Sequence, residues 1–270
     1  MARKFVLNWG FCNRVCVAAL LLGAASALNA FAESIALNPS ADATLFEVAP
    51  TNAAGGAGYF ISGTTQNQTR NRALLQFDLA GWIPAGSRIT GVTLELEVIR
   101  QPGCGFEPSF FGLHRVLVPW GEGTSVPLDN MGGKGGPALP GDATWVDRLA
   151  FSTPWAAPGG AAGTDYAPEF SSGTPIYGLG VYDIEGTPEM IRDLQFWLDN
   201  PTNNYGWMFI TEGEDTPFTA RMFASREDPN GGAPVLFIDY EPVPEPGTWA
   251  LLAIGGVALA VWARRRSSAA

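Results

Sequence analysis

The sequence predicts an all-β fold: a single antiparallel β-sandwich or jelly roll with one short helix, set between two apolar terminal segments. Three observations point there. Short apolar runs recur from residue 41 to residue 240, and in the clearest of them apolar and polar residues alternate, the period of a strand with one face buried. Glycine (33) and proline (21) together make about one residue in five, which suits many turns between short strands. Only one segment of the middle carries a helical stripe with both of its ends marked. With 46% hydrophobic and 16% charged residues, the chain can build a core and does not read as a disordered acidic tail or a coiled coil.

The elements follow in order. Arg3, Lys4 and Arg14 precede and border an apolar stretch, Val15 to Ala27, and Ala30-Phe31-Ala32 places small residues at the positions a signal peptidase reads. Residues 1–32 are therefore expected to be a secretory signal, cleaved between Ala32 and Glu33. Strands are expected at 44–48, 58–62, 72–79 and 90–100. In the last of these Val92, Leu94, Leu96 and Val98 face one way, and Thr93, Glu95 and Glu97 the other. Further strands are expected at 112–118, 176–184, 205–211, 218–224 and 234–240, with Pro84-Ala85-Gly86 and Asp228-Pro229-Asn230-Gly231-Gly232 as turns. The helix begins after Thr187. Thr187 can cap, Pro188 suits the first helical position and Glu189 suits the dipole. Ile191, Leu194, Trp197 and Leu198 form its stripe, and Asn200-Pro201 ends it. Residues 121–174 are a Gly/Pro-rich insert that is too long for a plain loop, so it is expected to be functional or ordered by its own packing.

The C-terminal end has three parts. Val243-Pro244-Glu245-Pro246 is followed by an apolar run from Thr248 to Ala263, bracketed by Trp249 and Trp262, and then by Arg264-Arg265-Arg266. The run is roughly 24 Å long as a helix, short against a hydrocarbon core of about 30 Å. The tryptophans suit the two interfaces, and the arginines suit a cytoplasmic stop-transfer charge. This order of motif, span and arginines resembles the PEP-CTERM sorting signal. The resemblance implies that residues 242–270 are a sorting segment with transient inner-membrane anchoring through 248–263, and that an exosortase-type protease is the partner that processes it. The expected destination is the cell surface or the extracellular space.

Between the two ends the chain is strongly acidic. Of its 16 basic residues six lie in residues 1–32 and 247–270, which carry no acidic ones, leaving ten against all 26 acidic residues between them, a net charge of −16. That excludes nucleic acid as an expected partner. Exopolysaccharide remains compatible, either neutral or bridged by cations. Cys12 and Cys16 would leave with the signal, so Cys104 has no internal disulfide partner. It reads as a loop residue or as an intermolecular thiol. His114 is the single histidine, which excludes a His-rich zinc site and makes histidine-based acid–base chemistry unexpected.

The middle, residues 33–241, resembles the DNRLRE domain, an exported β-sandwich related to carbohydrate-binding modules. The matching pieces are Asn71 to Leu79, Ile83-Pro84-Ala85-Gly86 with Ile89 to Val98, Val118 to Gly123, Ala143-Thr144-Trp145, Phe223 to Glu227, and Pro234 to Tyr240. The string that names the family is absent, and no ligand residues are transferred. The resemblance implies a non-catalytic surface module, with glycan binding in some members.

Candidate chemistry is sparse. Trp120, Trp145 and Trp155 are candidate glycan platforms, since an indole offers a flat apolar face with a polar edge, and core packing is the competing reading. Asp42, Asp142 and Asp239 are weak candidates for a structural calcium. No other cofactor and no catalytic residue is expected. Glu95 and Glu97 share a strand face, as a glycosidase pair would, but that face reads as solvated. Glu212-Gly213-Glu214-Asp215 reads as an acidic turn. The expectation is a non-catalytic exported surface or matrix protein associated with exopolysaccharide. A carbohydrate-binding module is the alternative, and a glycan-degrading enzyme is third.

Overall fold

A computed structural model describes residues 32–127, 133–243 and 246–267, with the side chains of 246–253 excepted. The expected signal segment lies outside these residues apart from Ala32, as do Pro244 and Glu245 of the expected sorting motif. The described chain holds fifteen strands: β1 (Glu33–Leu37), β2 (Ala41–Phe46), β3 (Asn52–Ala53), β4 (Tyr59–Thr64), β5 (Arg70–Gln76), β6 (Arg88–Arg100), β7 (Ser109–Arg115), β8 (Gly136–Pro137), β9 (Asp147–Leu149), β10 (Thr153–Pro154), β11 (Ser172–Ile176), β12 (Gly180–Glu185), β13 (Trp207–Thr211), β14 (Arg221–Ala224) and β15 (Val235–Glu241). Two α-helices, Pro188–Asp199 and Pro246–Ser267, complete it. Glu33–Glu241 forms one compact unit.

Eleven strands pair antiparallel into one large sheet, in the order β1-β15-β6-β14-β4-β5-β13-β7-β11, with β12 also on β6 and β2 also on β5. The sheet curls so that its two halves face each other as a sandwich. β6 is the longest strand and serves three partners: β12 on one side, β15 and then β14 on the other. Its expected alternation is present. Ile89, Val92, Leu94, Leu96 and Val98 are buried, while Glu95 and Glu97 are half-buried on the opposite face. The inward residues of β6 meet Leu75, Phe111, Trp207 and Phe209 from the other half, and together they form the main core.

The half containing β5 and β13 is buried on both faces. Leu75, Trp207 and Phe209 point into the main core. Their neighbours Leu74, Met208 and Ile210 point outward, into a second cluster with Trp145, Trp155 and Tyr166 of the insert. A strand covered on both sides needs no polar face, which is why Trp207–Thr211 is buried at every position.

The helix Pro188–Asp199 forms as its caps require. The Thr187 side chain accepts the Met190 N–H, and Pro188 opens the first turn. Leu194, Trp197 and Leu198 are buried, and Ile191 packs against the core. Met190 and Asp193 are buried beside them. Two expectations change. The single strand expected at 176–184 is broken into two that do not pair with each other: β11 pairs with β7 in one half and β12 with β6 in the other, so the segment turns a corner between the halves. Gly180, at φ +128°, lies just past its bend. The second change is β1, which the sequence did not suggest. It adds to β15 at the sheet edge, with the Tyr240 hydroxyl donating to Glu33 Oε2 at 2.8 Å.

The C-terminal helix starts at Pro246 and ends after Arg264, Arg265 and Arg266. The expected span over 248–263 falls partly outside the described side chains. Among the described residues, no helix is long and apolar enough to cross a membrane.

Candidate functional site

The three expected platform tryptophans are packing residues. Trp145 and Trp155 are 5% and 4% exposed. The Arg70 and Arg72 guanidinium carbons lie 5.5 and 5.6 Å from the centre of the Trp145 ring, and Gly159 backs it so closely that an added Cβ would sit 2.7 Å from the indole. Trp155 Nε1 donates to Thr144 O at 2.8 Å. Trp120 is half-buried against the same cluster, and its Nε1 donates to Tyr205 O at 2.8 Å. The faces of Trp145 and Trp155 are buried in the cluster on the outer side of β5 and β13, while Trp120 keeps part of its surface exposed at the edge of that cluster. Within Glu33–Glu241 the open tryptophan is Trp82, 62% exposed. It lines a shallow groove with Ile83, Leu198 and Pro201. Sequence reasoning passed over it because it stands in a turn, outside the insert.

The acidic turn at 212–215 has a structural task. Arg72, 8% exposed, forms a two-pronged pair with Glu214, Nε to Oε1 and Nη2 to Oε2, both at 2.7 Å. Arg72 Nη1 also donates to Gly159 O at 2.8 Å, so one side chain ties β5, the turn and the insert together.

The candidate calcium ligands do not converge. Asp142, buried at 1% exposure, spends its Oδ2 on the Ser125 hydroxyl (2.5 Å) and the Leu139 N–H (2.9 Å). Asp239 accepts the Ser34 hydroxyl at the β1–β15 edge. Asp42 instead meets Glu122 and Glu227, with one oxygen of each lying within 4.8 Å of the others. Among the described residues this is the one group of three or more His, Cys, Asp or Glu side chains placed closely enough to hold a metal ion.

Each member arrives on a different element. Asp42 is the second residue of β2 and is 0% exposed. Glu122 follows β7, on a loop seated by its own glycine. Gly123 sits at φ +74°, and a Cβ there would fall 1.6 Å from Asp142 Oδ1. Glu227 stands in the turn between β14 and β15, where its backbone N–H donates to Ser225 Oγ. Burial pushes the Asp42 carboxyl up to about 7; the Arg226 N–H opposes the rise, and the charges of Glu227 and Glu122 add to it. Burial also raises Glu122. Of the three, the sequence singles out Asp42 alone; 80 positions separate it from Glu122, and 105 more lead to Glu227.

The family comparison is confined to the C-terminal end, where residues 242–267 match the PEP-CTERM protein-sorting motif. No curated protein matches the chain. The motif marks an exported protein that exosortase sorts toward the cell surface.

Proposed function

We propose that the chain is exported through residues 1–32, anchored transiently in the inner membrane by residues 248–263, and cut by an exosortase-type protease at or near Pro244-Glu245-Pro246. On this reading the product is a DNRLRE-like, non-catalytic module of the cell surface or of an exopolysaccharide matrix. The observation that carries the reading is the sorting motif at 242–267. The fold agrees with it in two ways. The last strand, β15, ends at Glu241, so a cut beyond it removes nothing from the sheet. Cleavage before Glu33 would likewise leave β1 whole. Mass spectrometry of surface-extracted protein is expected to find no peptide beyond about residue 247. Recovery of mature protein that keeps Trp249 to Arg266, in cells containing exosortase, would refute the processing step.

Glycan binding is the second reading, and Trp82 favours it. An indole face 62% open beside an apolar groove can stack on the C–H face of a sugar without needing charge, which suits so acidic a surface. Trp82→Ala is expected to abolish the tryptophan-fluorescence response to a polysaccharide while leaving the melting temperature unchanged. An unchanged response would remove Trp82 from the binding role.

A further inference from the structure

We propose that Asp42, Glu122 and Glu227 form a binding site for one divalent cation, of the hard, oxygen-seeking kind that calcium typifies. The case rests on a complete account of their oxygens. Asp42 Oδ2 accepts the Arg226 backbone N–H at 2.9 Å. Glu122 Oε1 accepts the Asp42 N–H at 2.8 Å and lies 2.9 Å from Arg226 Nε, and its Oε2 accepts Arg226 Nη2 at 2.9 Å. Glu227 Oε1 lies in ion-pair contact 2.6 Å from Arg226 Nε, and its Oε2 accepts the Ser225 hydroxyl at 3.3 Å. Asp42 Oδ1 has no partner at all, although it is sealed from solvent on a residue with 0% exposure.

Buried polar atoms in native proteins are satisfied with few exceptions, and an orphan commonly marks an unfilled ion or water position. An unpartnered carboxylate oxygen in the interior is among the most costly of such orphans. The charge count leads to the same answer. When all three carboxylates are ionised they face one guanidinium, an excess of two negative charges that one divalent ion would neutralise. Arg226 is a poor substitute for that ion, because its side chain is 37% exposed and exposed ion pairs contribute little. Oxygens within 4.8 Å of one another can share an ion that holds each of them at about 2.3–2.6 Å, with water filling the remaining positions of a flexible shell. The donor set is all oxygen, without imidazole or thiolate, which selects calcium-type ions over zinc or copper.

Such an ion would join three segments far apart in sequence: the start of β2, the first turn of the insert and the β14–β15 turn. It would act as a clasp that locks the insert to the sandwich once the chain reaches a calcium-containing medium.

The test uses the full chain after treatment with EDTA. Titration calorimetry with calcium chloride is expected to show one site, with a dissociation constant on the order of 10⁻⁴–10⁻³ M, the range of extracellular modules. Calcium at about 100 times that constant is expected to raise the melting temperature by roughly 5–10 °C. Both responses should vanish in Asp42→Asn and in Glu227→Gln, and persist in Asp239→Asn. If Asp42→Asn does not fold, Glu227→Gln decides, since that side chain is only half-buried. A folded wild-type chain with no heat and no melting shift in about 10 mM calcium, or a full response in Glu227→Gln, would overturn the proposal.

Discussion

Trp207→Ala is expected to lower stability by about 3–5 kcal/mol in urea denaturation, the range for a buried aromatic cut to alanine. Trp207 is 0% exposed at the centre of the main core. Its ring meets Trp197 edge-on with centroids 4.6 Å apart, and Phe77 at 6.3 Å. Its Nε1 also donates to Asp193 Oδ2 at 3.0 Å. Asp193 is itself buried on the helix, shared with Ser171 and with Arg115 at 3.5 Å. Truncation therefore opens a cavity and also takes one donor from a buried carboxylate. Trp207→Phe separates the two effects. It keeps much of the ring, loses the donor, and is expected to cost about 1–3 kcal/mol. Equal losses for the two variants would mean that the hydrogen bond, not the packing, dominates the site.

Arg72→Ala is expected to cost about 3 kcal/mol, at the lower end of the range for breaking a buried ion pair. The side chains of Arg72 and Glu214 are only 10% and 20% exposed, so Glu214 would be left largely desolvated and unpaired. The Gly159 carbonyl of the insert would lose its donor as well. Arg88→Ala is the control. Arg88 and Glu241 form the same chemical pair, at 2.8 Å, but are 69% and 39% exposed, and their loss is expected to cost under about 1 kcal/mol. The difference should survive added salt, because screening reaches the exposed pair far more than the buried one. Similar losses in both variants, measured by denaturant melts, would contradict the assigned role of Arg72.

What could be read directly from the residues was local. The alternation of Val92, Leu94, Leu96 and Val98 identified a strand with one buried face. The run Thr187-Pro188-Glu189 with its Ile191–Leu198 stripe identified the helix and its ends, because caps and periodicity act within a few residues. The all-β antiparallel class followed from those patterns and from the turn residues. The C-terminal motif was legible for the same reason: its order of proline pair, apolar run and arginines is contiguous, and it is the part that matches a known family model.

What needed the folded chain was everything that depends on which segments meet. Gly178 and Gly180 do mark a turn, but the apolar residues on both sides continue a strand-like run, so the corner between β11 and β12 read as one strand. Met208 and Ile210 read as ordinary apolar residues until the insert was seen to cover them. That same covering explains Trp145 and Trp155, since a tryptophan in a Gly/Pro-rich stretch reads alike whether it faces solvent or a sheet. Asp42, Glu122 and Glu227 stand 80 and 105 positions apart, so no spacing rule could have grouped them. They come together because β2 pairs with β5, the insert folds back over that half, and the β14–β15 turn closes beside Asp42 through the Arg226 N–H. The sequence alone determined most of the long strands, the helix and the sorting end. Long-range pairing decided which carboxylates share a site and which indoles lose their faces to the core, because burial is a property of neighbours and not of the residue itself.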